Sequence, residues 1–201
     1  MGFKFKKFLS FLAIIFISSI LLVFHYGCSP SGILATGGST AMVVAEGDRT
    51  LGTVVDDATI KINVAAKFLN AGNNLFVDIN STVLEGRVLL TGLVDNQEVR
   101  IDAVRLVWEV DGIKEVVNEI EIGNRETIKD YANDLWINTQ ARGVAAKTIG
   151  LRSVAYNFET IKGKIYVAGI TSRPEQMESL VAALKSIKGV KEIVNYVIVK
   201  N

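Results

Sequence analysis

The sequence has one cysteine, Cys28, and one histidine, His25. A single cysteine excludes an intrachain disulfide and a thiolate-held metal cluster. His25 lies at the end of the N-terminal apolar run, so residues 28–201 have no imidazole for a nucleophile relay or a metal site. The acidic residues are scattered over expected helix surfaces, and no pair is placed for acid/base work. Gly37-Gly38-Ser39 is not followed by the Gly-Lys-Ser/Thr that a phosphate loop needs. These absences predict a protein that is not an enzyme and holds no metal or cofactor. What remains is an ordinary folding composition, 49% apolar and 21% charged.

The N-terminus has a distinct layout. Lys4, Lys6 and Lys7 form a positive start, residues 8–24 are an uncharged and mostly apolar run, and Gly27-Cys28 closes it. Basic, then apolar, then small is the order of an export signal, with the lysines held on the cytoplasmic side. Gly27 before Cys28 resembles a bacterial lipoprotein processing site, which would leave a lipid on Cys28. His25 and Tyr26 depart from the aliphatic and small residues usual there. An uncleaved anchor and simple secretion therefore stay open beside lipidation, although 17 residues is short for a spanning helix. Residues 1–27 are read as the signal and residues 28–51, rich in Gly, Ser, Thr and Ala, as a flexible tether.

The rest of the chain repeats itself. GRVLLTG at 86–92 aligns with GKIYVAG at 163–169, and DGIKEVVN at 111–118 with KGVKEIVN at 188–195, all at one offset of 77. Asp57 and Ile60 map onto Asp134 and Ile137 at the same offset. The chain is thus a tandem duplication, with modules at 52–123 and 124–201. In the first copy Ile60, Val64 and Phe68 recur at helical spacing. Leu75, Val77 and Ile79 alternate as a strand would, and Val88 and Leu90 begin a second strand that Gly92 ends. Val99, Ala103, Leu106 and Val110 mark a second helix, which Gly112 stops before a last strand. The order helix-strand-strand-helix-strand predicts an α+β fold, with two helices covering one face of a three-stranded mixed sheet in each module. Gly86, Gly92, Gly163 and Gly169 are assigned to turns and strand ends, and Asn118 and Asn195 to structural hydrogen bonds.

This element order, the Gly-bounded strand and the returning strand that ends in Asn resemble the BON domain. Two such modules behind a lipoprotein-like signal, with GDRTLGTVVDD at 47–57 and NDLWINT at 133–139, resemble the outer-membrane lipoproteins that carry paired BON domains. The resemblance covers about residues 46–200. It implies a non-enzymatic periplasmic protein that supports envelope integrity and binds anionic phospholipid. Ser29 after Cys28, where an inner-membrane retention signal would have Asp, points by the same resemblance to the inner leaflet of the outer membrane.

Charge separates the two copies. Residues 52–123 carry 6 basic and 12 acidic side chains, whereas residues 124–201 carry 12 basic and 7 acidic ones. The basic copy can be drawn to anionic headgroups, or the two copies can attract each other. On a helical wheel Trp136 lies off the core stripe of Ile137, Ala141, Val144 and Thr148, with Lys129, Gly143 and Lys147 within about 20° of it and Gln140 at about 40°. The expected phospholipid-binding set is therefore Lys129, Leu135, Trp136, Gln140, Arg142, Gly143 and Lys147. The first copy has Thr59 in place of the tryptophan, so the module itself does not require one. Packing of Trp136 against the first copy is the competing account, and Trp108 is read as an edge-of-core residue. A scaffold for an envelope assembly partner is the alternative function. Nucleic acid is not an expected partner, because the export signal takes the chain away from it.

Overall fold

The computed structural model describes residues 50–72, 74–123 and 127–200, which fall within one compact unit, Ala41–Asn201. The signal, Cys28 and nearly all of the tether lie outside the described residues. Thr50 caps the first helix, its hydroxyl accepting the Thr53 N–H at 3.2 Å. The first module runs α1 (Leu51–Ala71), β1 (Ile79–Leu84), β2 (Arg87–Val94), α2 (Gln97–Trp108) and β3 (Glu115–Ile122). The second runs α3 (Ile128–Ile149), a 3-10 turn (Gly150–Ala155), β4 (Asn157–Ile161), β5 (Lys164–Thr171), α4 (Pro174–Leu184) and β6 (Glu192–Val199). In each sheet the central strand pairs antiparallel with the one before it and parallel with the last.

The αββαβ order and the mixed sheets agree with the sequence reading. Ile60, Val64 and Phe68 of α1 and Ala103 and Val107 of α2 lie over Val88 and Leu90 of β2. In the second core Ile137, Ala141 and Ala145 of α3 and Leu180 of α4 lie over Ile165 and Val167. Each such side chain taken fully out of water contributes roughly 1.5–3 kcal/mol for Val, Leu, Ile or Phe, and this burial is what holds the helices to the sheet.

Both copies share a buried carboxylate that organises the β-hairpin. Asp57 accepts N–H bonds from Glu85 at 2.7 Å and Gly86 at 2.8 Å. Asp134 does the same with Lys162 at 2.6 Å and Gly163 at 2.8 Å. Each turn sets a non-glycine residue, Glu85 or Lys162, in the left-handed region at φ 56° and 52°. The carboxylate satisfies the two donors which that geometry turns inward. This explains why the aspartate on the first helix and the glycine of the turn repeat together. Asn118 and Asn195 likewise have the structural role assigned to them, each accepting an N–H two residues on, from Ile120 and Val197.

Several local expectations are corrected. Leu75 and Val77 belong to a one-turn helix, Leu75–Asp78, and β1 starts only at Ile79. Asn74, at φ 57°, restarts the turn, with its carbonyl accepting the Val77 and Asp78 N–H groups. Gly92 and Gly169 do not end their strands, which continue to Val94 and Thr171. Gly92 is needed for close approach instead: a Cβ there would lie 2.2 Å from the Asp78 carbonyl oxygen. Val107 occupies the buried position on α2, and Trp108 is 52% exposed rather than set at the core edge. On α3 the core place expected for Thr148 is taken by Ala145, while Thr148 is exposed and donates to the Val144 carbonyl.

The two sheets pack back to back, with the helices outside. Leu84 and Leu89 of the first module meet Ala168 and Ile170 of the second, flanked by Val117, Tyr196 and Ile198. Polar contacts surround this patch. Lys164 reaches Glu121 at 3.1 Å and Lys162 approaches the same carboxylate at 3.8 Å. Lys200 bonds Glu85, and the Tyr196 hydroxyl donates to Glu119. In each of these ion pairs the acid comes from the first module and the lysine from the second. Part of the charge asymmetry is therefore used to dock the copies. Glu121 and Glu192 hold the Lys164 ammonium well above the usual lysine range, and burial pushes the hydroxyls of Tyr166 and Tyr196 up to about 12.

Candidate membrane-facing helix

α3 is the longest helix among the described residues. Its start is fixed by a capping box, in which the Thr127 side chain accepts the Asp130 N–H and the Asp130 carboxylate accepts the Thr127 N–H. The Thr127 hydroxyl also donates to the Asp130 carboxylate at 2.5 Å, and this bond lowers the pKa of Asp130. Gly150, at φ 64°, ends it. With Ile137, Ala141 and Ala145 turned into the core, the opposite side faces solvent. Lys129, Trp136, Gln140, Gly143 and Lys147 are all exposed along it, Trp136 to 45%. A Cβ at Gly143 would meet no atom within 4 Å, so the face beside Trp136 is open.

Leu135 and Arg142 are also exposed but lie roughly 100–120° around the helix from Trp136. Arg142 extends toward β4, its Nη2 donating to the Phe158 carbonyl at 3.4 Å. Leu135 borders a cleft of about 530 Å3 between the modules, opposite Val77 and Leu93. The structure thus gathers five of the seven sequence-derived residues on one stripe and sets two beside it. Trp136 belongs neither to the shared apolar patch nor to the cleft lining. Tyr131, 67% exposed and one turn before Leu135, was missed by the sequence reading. Its place in the first turn of an amphipathic helix, off the core stripe, was the available signal.

The cleft contains one perturbed carboxyl. Glu159 accepts a hydrogen bond from the Asn80 Nδ2 at 3.1 Å across the module boundary. Burial raises its pKa, opposed by the Asn80 bond and by the charges of Arg142 and Lys61. A carboxyl whose folded pKa is raised adds stability below its unfolded pKa and loses that contribution as pH rises through the folded value. Glu159→Gln is therefore expected to raise the melting temperature at pH 7. The advantage over wild type should shrink at pH 5, as the native carboxyl takes up its proton. Melting curves at the two pH values check this, and an unchanged gap would be the contrary result.

Among the described residues no helix is long and apolar enough to cross a membrane, and no three His, Cys, Asp or Glu side chains are grouped to hold a metal. Paired αββαβ modules, docked through their sheets with the helices outside, define the class. The BON domain matches residues 56–124 and 133–201, and the chain belongs to that family. It is 37% identical over 148 residues to an Anaplasma centrale protein described as lying in the gshII 5′ region, covering 73% of this chain and 97% of that one. It is 29% identical over 173 residues to the outer membrane lipoprotein DolP of Haemophilus influenzae, covering 86% of this chain and 88% of the relative. A 21 kDa hemolysin of Actinobacillus pleuropneumoniae is 26% identical over 153 residues, covering 74% and 78%.

Proposed function

We propose that the chain is a non-enzymatic, membrane-anchored envelope protein whose second module holds anionic phospholipid through the exposed side of α3. The observation that carries this reading is Trp136, half exposed on a stripe with Lys129 and Lys147 and away from the residues that dock the modules. An indole is favoured at headgroup depth, and each lysine near an anionic surface contributes about 1 kcal/mol. Lipid on Cys28 would supply the second attachment, and two weak attachments together give lasting residence. Similarity to an outer membrane lipoprotein supports placement on the periplasmic side of the outer membrane, where such a protein would help maintain envelope integrity.

Co-sedimentation with phosphatidylglycerol and with phosphatidylcholine vesicles tests the proposal. The protein is expected to pellet with the anionic vesicles only and to be released by salt, which screens exposed charges. Trp136→Ala should reduce the bound fraction several-fold while leaving the melting temperature unchanged, since the ring is not part of the core. Equal binding to both vesicles, or full binding by the variant, would overturn the assignment of this face.

A further inference from the structure

α1 has a second apolar side that is left largely open among the described residues. Asp57, Ile60, Val64 and Phe68 face inward. On the outer side Leu51, Val55, Ile62 and Leu69 are 56%, 50%, 62% and 65% exposed, with exposed Ala58 and half-buried Ala65 between them. Their spacing alternates four and three along the whole helix: 51, 55, 58, 62, 65, 69. This is heptad spacing, as in a coiled-coil seam, and the stripe is narrower than the face that packs a helix onto a sheet. Over these 19 residues it is roughly 27 Å long.

We infer that this seam pairs antiparallel with the same seam of a second copy of the chain. The sizes of the side chains select the partner. In an antiparallel pair the large residue at one heptad position faces the other heptad position of its neighbour. Centred near residue 60, such a pair sets Ile62 against Ala58, Val55 against Ala65 and Leu69 against Leu51. Two of these layers match a branched side chain with an alanine, which allows close approach without a void. A parallel pair would stack alanine on alanine and leave those layers underfilled. The residues edging the seam are mostly small or uncharged, Gly52, Thr59 and Ala66 on one side and Val54 on the other. Lys61 lies at that second edge, and its charge acts on Glu159 of its own chain. A self-complementary patch about a two-fold axis also closes the assembly at two copies.

The bilayer is the weaker occupant. The first module carries 6 basic and 12 acidic side chains, so an anionic surface repels it; a second copy is acidic too, but the seam edges Gly52, Val54, Thr59, Lys61 and Ala66 include no carboxylate to oppose it. The seam spans fewer than three heptads, so the pairing is weak in dilute solution and gains from confinement on a membrane, which raises the effective concentration.

The test uses the full-length chain in membranes, where wild type, with Cys28 as its single cysteine, supplies the background. Differently tagged copies carrying Val55→Cys and Ala65→Cys are co-expressed and oxidised. The two tags should appear together in a disulfide-linked dimer, several-fold above the yield from Val55→Cys copies alone. Adding Ile62→Glu to both copies should remove that dimer. Because Ile62 is 62% exposed, its melting temperature should stay at the wild-type value. A Val55-to-Val55 link that dominates would mean parallel pairing. No link above background would mean that the seam does not meet a second copy, and loss of vesicle binding by Ile62→Glu together with that result would assign it to the bilayer. Either a dominant Val55-to-Val55 link or no link above background overturns the inference.

Discussion

Replacing Asp134 with alanine is expected to destabilise the second module by about 3 kcal/mol, with the urea midpoint falling accordingly. The carboxylate is 6% exposed and accepts the Lys162 and Gly163 N–H groups at 2.6 and 2.8 Å. Alanine leaves both donors without a partner, in a turn where Lys162 is already in the left-handed region at φ 52°. An unsatisfied buried donor costs on the order of 1–3 kcal/mol, and bonds to a charged acceptor lie toward the upper end. That is a large share of the roughly 5–15 kcal/mol that holds a typical domain together. Urea titration followed by circular dichroism reads the loss. A change under about 1 kcal/mol would mean that water replaces the carboxylate and that the hairpin does not depend on it.

The second large effect lies at Gly92. An alanine methyl there would be 2.2 Å from the Asp78 carbonyl oxygen and 3.0 Å from the Ile79 Cα, and the glycine φ of 154° is itself one that side chains rarely adopt. The obstructing atoms are backbone, in the segment that enters β1, so relief requires β1 to move away from β2. Its register with β2, from Ile79 opposite Gly92 to Leu84 opposite Arg87, would be strained from one end. Gly92→Ala is expected to cost 3 kcal/mol or more, on the order of severe overpacking, and to leave little soluble protein. Gly169→Ala, at the equivalent position, meets the Tyr156 ring at 2.8 Å and the Ala155 carbonyl oxygen at 3.1 Å. A ring can swing aside more readily than a strand, so this variant should fold with a smaller loss. Soluble yield and thermal melts of the pair compare the two, and equal tolerance at both sites would contradict the account.

Much of the module was legible in the sequence because its signals are local and occur twice. The offset of 77 aligned turn glycines, helix aspartates and strand asparagines, and each has the same contacts in both copies. The one-turn helix at Leu75–Asp78 was not legible, since alternating apolar residues fit a strand as well as a turn that buries Leu75 and exposes Val77. The back-to-back docking did leave a trace. β2 and β5 read RVLLTGLV and KIYVAGIT, apolar at nearly every position, which is the mark of a strand covered on both sides. On α3 the wheel placed Trp136 and its lysines correctly off the core. It could not show that Arg142 extends to the Phe158 carbonyl, because that contact depends on where β4 runs.

The signs of the docking contacts have a further consequence. Glu85, Glu119 and Glu121 all stand on one copy, and Lys162, Lys164 and Lys200 on the other. Two first modules placed back to back would oppose carboxylate to carboxylate, and two second modules ammonium to ammonium. The duplicated halves are therefore no longer interchangeable: each rejects its own kind and accepts its sibling. A sheet back that in a single-module protein would be open to a second molecule is closed within one chain, so the sheet backs select a partner before any neighbouring molecule can compete for them.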